Sequence, residues 1–347
     1  MNSNRRNHYN VKLLRGYGVS ISLKNSKIIL KDGSHPSTGE SESEEWFVNH
    51  MPYEKIILSG KGYVSTEAMS VLSKNNRHVI LMDTYGNPVT FLEPVRSSLT
   101  ATKYRIGQYD TFRIKEKRDY LSKQIVKAKI ESQIQFLKST ENSTINPRIE
   151  KLEKHLDDLE DNILHSEAVT SRIYFGAFSK LIDERFEFSK RNSFKVQKNN
   201  ATDVINALLN YGYSVLAGEI SKFIHGVGLD PYYGFYHKNH TSFQSLVYDV
   251  IEPFRWLVEC VVWKLSEAKS KHRISKKQYA FTREGNVVLD SELIRIFLEM
   301  LERVFQKERK FDYKFGLKTS DGLKSVQEIT IVKIMIQNLA EFCIDKK

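Results

Sequence analysis

In DNILHSEAVTSRIYFGAFSKLI, Ile163, Glu167, Ser171, Phe175, Phe178 and Ile182 recur at spacings of four, four, four, three and four, the repeat of one helix face. Glu167 is thereby placed on a face meant for burial. An ionised carboxylate there must be paired, protonated or bound to metal. A buried ion pair with Arg172, or with an arginine of another helix, is one resolution and a metal ion the other. A second helix repeats the problem. Leu246, Val250, Phe254, Leu257, Val258, Val261 and Leu265 make its apolar stripe. Asp249 and Glu252 lie beside it, about 60° apart, facing one location. Arg255, three residues after Glu252, is spaced to neutralise it. Pro253 cannot donate to the carbonyl of Asp249, so the helix is expected to bend there, free backbone groups and widen the site. The loop GLDPYYGFYH turns at Asp230-Pro231 and Gly234 and presents His237, 12 and 15 positions before the two carboxylates. Oxygen ligands with one imidazole and no cysteine suit Mg²⁺ or Mn²⁺ better than a structural zinc.

What such an ion would act on follows from the charge. Lys and Arg number 53 against 42 Asp and Glu, a net charge of +11, which favours a polyanion, nucleic acid or an acidic membrane, beside the plain alternative of solubility charge. A metal ion on a nucleic-acid-binding surface points to phosphodiester cleavage or transfer, with the ion stabilising charge in the transition state. Cys260 and Cys343 are the only cysteines, with no paired spacing, so neither a disulfide framework nor a thiolate zinc site is expected. No apolar run approaches the roughly 20 residues of a membrane span and none follows MNSNRRNHYN. A soluble, cytoplasmic protein is expected.

Other motifs fall short. His165-Ser166-Glu167 mimics the deaminase His-x-Glu but lacks its Pro-Cys-x-x-Cys half. His237-Lys238-Asn239-His240 offers a second imidazole without a third partner. Gly60-Lys61-Gly62 lacks the third glycine of a dinucleotide loop and the spacing of a phosphate-binding loop. No Gly-x-Ser-x-Gly elbow is present.

The elements that must position these residues change character along the chain. From Val11 to about Pro94 the apolar runs are short (VSISL, KIIL, KIILSG, HVILMD, VTFL), with turn signals at Asp32-Gly33 and Gly86-Asn87-Pro88. TEAMSVLSKNN reads as one helix closed by Asn75-Asn76. SHPSTGESESEE, residues 34–45, reads as a mobile loop, too polar to pack. EPVRSSLTATKY reads as a linker. Residues 105–140 follow as one long amphipathic helix with Ile114, Tyr120, Leu121, Ile125, Ile130, Ile134, Phe136 and Leu137 as its apolar positions. Asn146-Pro147 ends it, RIEKLEKHLDDLEDNIL begins another, and helical periodicity continues to Lys347. The expected fold class is α+β: a small β-rich domain over 1–95 followed by a larger all-α catalytic domain over 96–347.

These residues resemble a known family. SEAVTSRIYF is similar to the Glu-Gly-x-x-Ala-x-x-Tyr-Phe signature of the CRISPR-associated integrase that captures new spacers. INALLNYGYSVL, GLDPYYGFYH and SLVYDVIEPFR continue the likeness in the family's order and spacing. GVSISLKNSKIILKDG, YEKIILSGKGYVSTEAMSVLSKNNRHVILMDTYG and Gln108, near an Arg-x-x-Gln position, extend it through the N-terminal part. The likeness is weakest over 1–10, 34–45 and beyond about 290. Ala168 and Ser171 stand where Gly and Ala are usual, small residues that touch packing more than chemistry.

The resemblance implies a metal held by Glu167, His237 and Glu252, with Asp249 as the supporting acidic residue. It implies a DNA enzyme of CRISPR adaptation, dimeric through its β domain. This enzyme would work with the small second core Cas protein to join a prespacer 3′-hydroxyl to the leader–repeat junction by transesterification. Lys271, Arg273, Lys276 and Lys277 in SKHRISKK, and the run QKERKFDYK (306–314), are candidate DNA-backbone contacts. Tyr174, Asn206, Tyr213 and Arg255 are candidates to line the site, each with an ordinary packing role as the alternative. Two other readings stay open: a generic metal-dependent nuclease acting on branched or single-stranded nucleic acid, and a non-catalytic DNA-bridging protein with a buried ion-pair cluster.

Overall fold

The computed structural model describes residues 11–33, 41–75, 77–83, 88–92, 99–159, 162–191, 201–237, 244–311 and 324–345. The chain divides into two compact units, Met1–Arg96 with Ile294–Arg303, and Ser97–Leu293 with Val304–Lys347.

The first unit is built on a mixed six-stranded sheet. β1 (Val11–Lys24), β2 (Lys27–Lys31) and β3 (Ser43–Phe47) pair antiparallel. β4 (Lys55–Val64) runs parallel to β1. The helix α1 (Thr66–Lys74) then returns the chain so that β5 (His78–Met82) is parallel to β4, the crossover that parallel neighbours need. β6 (Pro88–Leu92) closes the order β3-β2-β1-β4-β5-β6. Alternate apolar positions of the central strands form one core: Leu14, Ile21, Ile28, Leu30 and Ile56 are almost fully covered, with Ala68 and Leu72 of α1 packed on them. Ser65 caps α1, its side chain accepting from Ala68 N at 3.2 Å.

Several expectations need correction here. The β1–β2 reversal falls at Asn25-Ser26, both with positive φ, a two-residue hairpin turn, and the signal at Asp32-Gly33 stands where the chain leaves β2. Residues 43–45, expected to be loop, are strand β3, where Glu44 pairs with Lys12 and accepts from Trp46 Nε1 and Tyr53 OH, both at 2.9 Å; polar composition hid a strand whose side chains find polar partners. Residues 34–40, Gly86 and Asn87 lie outside the described residues.

The second unit is mostly helical: α2 (Leu99–Arg113), α3 (Lys115–Ser139), α4 (Asn146–Asp157), α5 (Ile163–Phe178), α6 (Val204–Val227), α7 (Ser245–Ile251), α8 (Arg255–Ser266), the two ends of α9 (Ser291–Phe305) and α10 (Glu328–Ile344). Its helices bury Phe112, Phe136, Phe178 and Tyr174 among aliphatic residues. It is not all-α. β7 (Tyr279–Phe281) pairs with β8 (Val287–Leu289), and β9 (Glu308–Phe311) with β10 (Lys324–Gln327). Strands of three or four residues leave no alternation to read. The single helix expected over 105–140 is two, because Ile114 is extended (φ −79°, ψ 114°) between α2 and α3; Ile114 and Tyr120 are exposed accordingly. The expected linker is helical from Leu99. RIEKLEKHLDDLEDNIL divides between α4 and α5. Ile294–Arg303 of α9 groups with the first unit, where Lys55 and Glu302 form a buried pair at 3.1 Å.

Candidate active site

α6 is the central helix of the second unit, buried around most of its circumference. Asp203 caps its start, accepting from Asn206 N at 2.7 Å, and Gly228 ends it at φ +101°. A side chain at Gly228 would also strike the backbone of Ala101. The glycine therefore releases the chain from α6 into the 229–237 loop. Gln108 of α2 ties that loop down by donating to the carbonyls of Asp230 (2.9 Å) and Tyr233 (2.7 Å) and accepting from Asp230 N at 2.7 Å.

The far end of the loop folds onto Asp249, which is fully buried. Asp249 Oδ2 accepts from Phe235 N (2.7 Å) and Tyr236 N (3.0 Å), and Oδ1 from His237 N (2.8 Å) and His237 Nδ1 (2.7 Å). A carboxylate only accepts, so Nδ1 carries the proton and Nε2 is the basic nitrogen. Gly234 is required by the same closeness: an added Cβ would stand 2.5 Å from Asp249 Oδ2. His237 is thus an imidazole whose tautomer and ring plane are fixed from behind, the arrangement found behind metal-ligating histidines.

Its Nε2 faces Glu252 Oε1 at 4.0 Å. The expected break occurs there: α7 stops at Ile251, Glu252–Phe254 form a single tight turn around Pro253, and α8 starts at Arg255. Glu252 Oε1 also accepts from Arg255 at 2.8 Å, and Oε2 lies 2.7 Å from Lys129 Nζ. Lys129, on α3 and 6% exposed, reaches Glu167 Oε1 with the same ammonium. Tyr236 OH donates to Glu167 Oε2 at 2.6 Å. Glu167, His237, Asp249 and Glu252, predicted from three separate stretches, therefore converge.

Burial alone would raise the carboxyls of Glu252 and Glu167, but Arg255 and Lys129 hold Glu252 far below the ordinary range, and Lys129 holds Glu167 below it. Burial would lower the Lys129 ammonium, and Glu252 with Glu167 more than reverse this. Behind the pair, buried Glu259 accepts from the hydroxyls of Tyr174 and Tyr213. Burial pushes its carboxyl up. Arg255 lies over the Tyr213 ring at 4.7 Å, so this second layer supports the guanidinium that holds Glu252.

The partner of Glu167 is Lys129, neither Arg172 nor another arginine. Phe178 and Ile182 of the expected stripe are buried, but earlier in α5 the fully buried positions are Ser166, Thr170, Tyr174 and Ala177, and Ile163, Glu167, Ser171 and Phe175 are half-buried beside them. The Glu167 side chain is 22% exposed. Tyr174, Asn206 and Tyr213 are at most 6% exposed and spend their polar atoms internally, so none is placed to touch DNA. Arg255 is committed to Glu252. Arg273 pairs with Asp183 at 2.5 Å, while Lys271, Lys276 and Lys277 are exposed. In the second basic run Arg309 is paired with Glu328; residues 312–314, like Lys238–His240, lie outside the described residues. Lys129 and Tyr236 were missed, although Lys129 sits on the same helical stripe as Leu121 and Ile125.

The donor set suits a hard divalent ion. Two carboxylates and an oriented imidazole face one another, and three carboxylates against the Lys129 and Arg255 cations leave excess negative charge. The 4.0 Å between His237 Nε2 and Glu252 Oε1 is within the span of two metal–ligand bonds of about 2.1 Å. As the side chains stand, however, no three His, Cys, Asp or Glu residues among those described are close enough together to ligate an ion, and Lys129 Nζ lies between the two glutamates. No helix of the described residues is long and apolar enough to cross a membrane.

Comparison with known proteins adds to this geometry. The family profile described as "CRISPR associated protein Cas1" matches residues 13–303. CRISPR-associated endonuclease Cas1 1 of Archaeoglobus fulgidus is 28% identical over 274 residues, covering 72% of this chain and 76% of the relative. A structure described as a casposase bound to integration product is 28% identical, with a TM-score of 0.80 over 97% of this chain and 91% of the other. A Cas6-RT-Cas1–Cas2 complex shares the fold at 18% identity and a TM-score of 0.69, covering 97% of this chain and 35% of the other.

Proposed function

Because the chain belongs to the CRISPR-associated Cas1 family, we propose that it is a divalent-metal-dependent DNA integrase and endonuclease that inserts new spacers into a CRISPR array. The observation that carries this reading is the convergence of Glu167, Glu252 and an imidazole oriented by Asp249. The casposase that shares the fold at 28% identity, bound to its integration product, supports the same class of reaction.

Glu167, His237 Nε2 and Glu252 would hold Mg²⁺ or Mn²⁺, which when bound polarises the scissile phosphate and stabilises the charge that develops on it. Asp249 keeps Nε2 aimed at the glutamates and holds the loop against α7. Arg255 restrains Glu252. Pro253 ends α7 so that Glu252 leaves the helix in its own turn. A 3′-hydroxyl oxygen attacks the phosphorus, the bond to the leaving 3′ oxygen breaks, and a proton passes from the attacking hydroxyl to the leaving oxygen by way of water. One phosphodiester is exchanged for another, so no nucleotide cofactor is consumed and the step is reversible. With water as the attacking group the same site cuts.

The exposed Lys271, Lys276 and Lys277 would meet the DNA backbone. The working assembly would be a homodimer with the small second core Cas protein, acting on prespacer and leader–repeat DNA in the cytoplasm.

The test is a branched duplex incubated with Mn²⁺ and no ATP. Release of the flap with a longer, sealed strand is expected, and a 3′-deoxy end on the attacking strand should abolish the joined product. Shortened fragments alone from the hydroxyl-bearing substrate would leave a generic nuclease. Loss of neither activity in Glu167→Ala would remove the site.

A further inference from the structure

Lys129 is a buried lysine whose ammonium is shared by the two glutamates that the proposed function assigns to a metal ion. Both roles use the same two carboxylates, Lys129 through Glu167 Oε1 and Glu252 Oε2. A divalent ion held by Glu167 and Glu252 together with His237 Nε2 would stand within a few ångströms of Nζ, where two cations repel strongly in a poorly hydrated site. With neither the ammonium nor an ion, among the described residues Glu252 would keep only Arg255 and Glu167 only Tyr236, and the two carboxylates, Glu252 at 2% exposure, would repel each other.

A second observation lies one turn along α3. Gln133 is 1% exposed, and both its Oε1 and Nε2 are buried without a hydrogen-bond partner among the described residues. A buried amide with nothing to bond is costly and rare. Residues four apart share a helix face, and side chains lean toward the helix N-terminus, so the Gln133 amide overlies the turn that carries Lys129. Its oxygen is an unused acceptor one helical turn from a flexible four-carbon lysine stem.

We propose that Lys129 is a tethered counter-ion that exchanges with the divalent cation. It holds Glu167 and Glu252 together when the site has no ion, and its ammonium moves to Gln133 Oε1 when an ion binds. The site is then assembled and charge-balanced before metal arrives, and ion affinity is set by the difference between the two cations' hold on the glutamates. This inference rests on the metal reading above.

The test is Mn²⁺ binding to the full-length chain, with free Mn²⁺ counted by electron paramagnetic resonance, beside thermal melting with and without Mn²⁺. Lys129→Met is expected to bind Mn²⁺ at least tenfold more tightly than the wild type. It should melt several degrees lower without the ion and regain that loss with it. Gln133→Leu is expected to melt no lower than the wild type without the ion, since an unpaired amide is gone, and to bind Mn²⁺ several-fold more weakly. If Lys129→Met does not fold without Mn²⁺, the concentration that holds it folded is read instead, and a value below the wild-type Kd supports the exchange. Equal or weaker binding by Lys129→Met beside a wild type that binds overturns the exchange and leaves the metal reading standing. An unchanged Kd in Gln133→Leu overturns the transfer to Gln133. Absence of Mn²⁺ binding in the wild type and in Lys129→Met overturns the metal reading and the exchange together.

Discussion

Asp249 Oδ1 stands 2.7 Å from His237 Nδ1 and 2.8 Å from His237 N, so one buried carboxylate fixes both the backbone and the ring of the histidine that faces Glu252. The supporting acidic residue has a definite task. It receives three backbone N–H groups of the 235–237 stretch and one imidazole N–H, and in doing so determines which ring nitrogen is left to act.

Asp249→Ala should therefore cost both stability and activity. The loop N–H groups lose their acceptor, at about 1–3 kcal/mol for each that stays buried, and His237 loses its orientation. Urea denaturation should show a loss of about 3 kcal/mol, with DNA joining at background. Wild-type stability in the variant would mean that the loop finds other acceptors.

Gly234→Ala places a methyl group 2.5 Å from Asp249 Oδ2 and 2.9 Å from the Ser245 backbone. Neither neighbour is the end of a flexible chain. Overpacking of this kind costs about 1–3 kcal/mol, and the displaced loop should lower joining at least tenfold. Wild-type rates in this variant would show that the loop tolerates a shift.

Much of this site was legible because charge on a buried helix face is a contradiction that sequence alone exposes. Glu167, Asp249 and Glu252 were found that way, and Pro253 announced the break beside them. The same contradiction went unread at Lys129, Gln133 and Glu259, where lysine, glutamine and glutamate lie on faces that the structure buries. Tyr174, Asn206 and Tyr213 were offered to DNA because aromatic and amide side chains suit both roles; only the positions of Glu259 and Arg191 show them to be internal. In the first unit the apolar runs announced most of the strands, but Ser43–Phe47 carries two glutamates and declared nothing. Of the partners of Glu44, Lys12 comes from β1, 32 residues away, and Tyr53 from the stretch after the strand.

Glu259 gives a pH signature. Burial raises its carboxyl above the ordinary value of 4.5, with the Tyr174 and Tyr213 hydroxyls opposing. The folded chain then keeps this proton to higher pH than the unfolded chain does. Its contribution is full below the unfolded value and is lost as pH rises through the folded one. Relative to wild type, Glu259→Gln should gain in melting temperature as pH rises above about 4.5. Parallel melting curves for the two proteins across that range would show that Glu259 titrates normally.

Lys271, Lys276 and Lys277 are exposed, whereas Arg273 is spent on Asp183. Reversing the three lysines to glutamate should weaken DNA binding and flatten the log–log salt dependence by about one slope unit for each phosphate no longer neutralised. Arg273→Glu should act mainly on stability. An unchanged salt slope in the triple variant would assign the run to plain solvation.

The central claim is that Glu167, His237 and Glu252 hold one divalent ion, and the most direct measurement is anomalous X-ray diffraction from crystals of the full chain grown with Mn²⁺. A single manganese peak is expected within bonding distance of His237 Nε2 and of one oxygen from each glutamate, with Lys129 Nζ withdrawn from the space between them, and no such peak in Glu167→Gln crystals. Crystals that hold Mn²⁺ only elsewhere, with Lys129 still bridging Glu167 and Glu252 while the same protein joins DNA in Mn²⁺, would contradict the account.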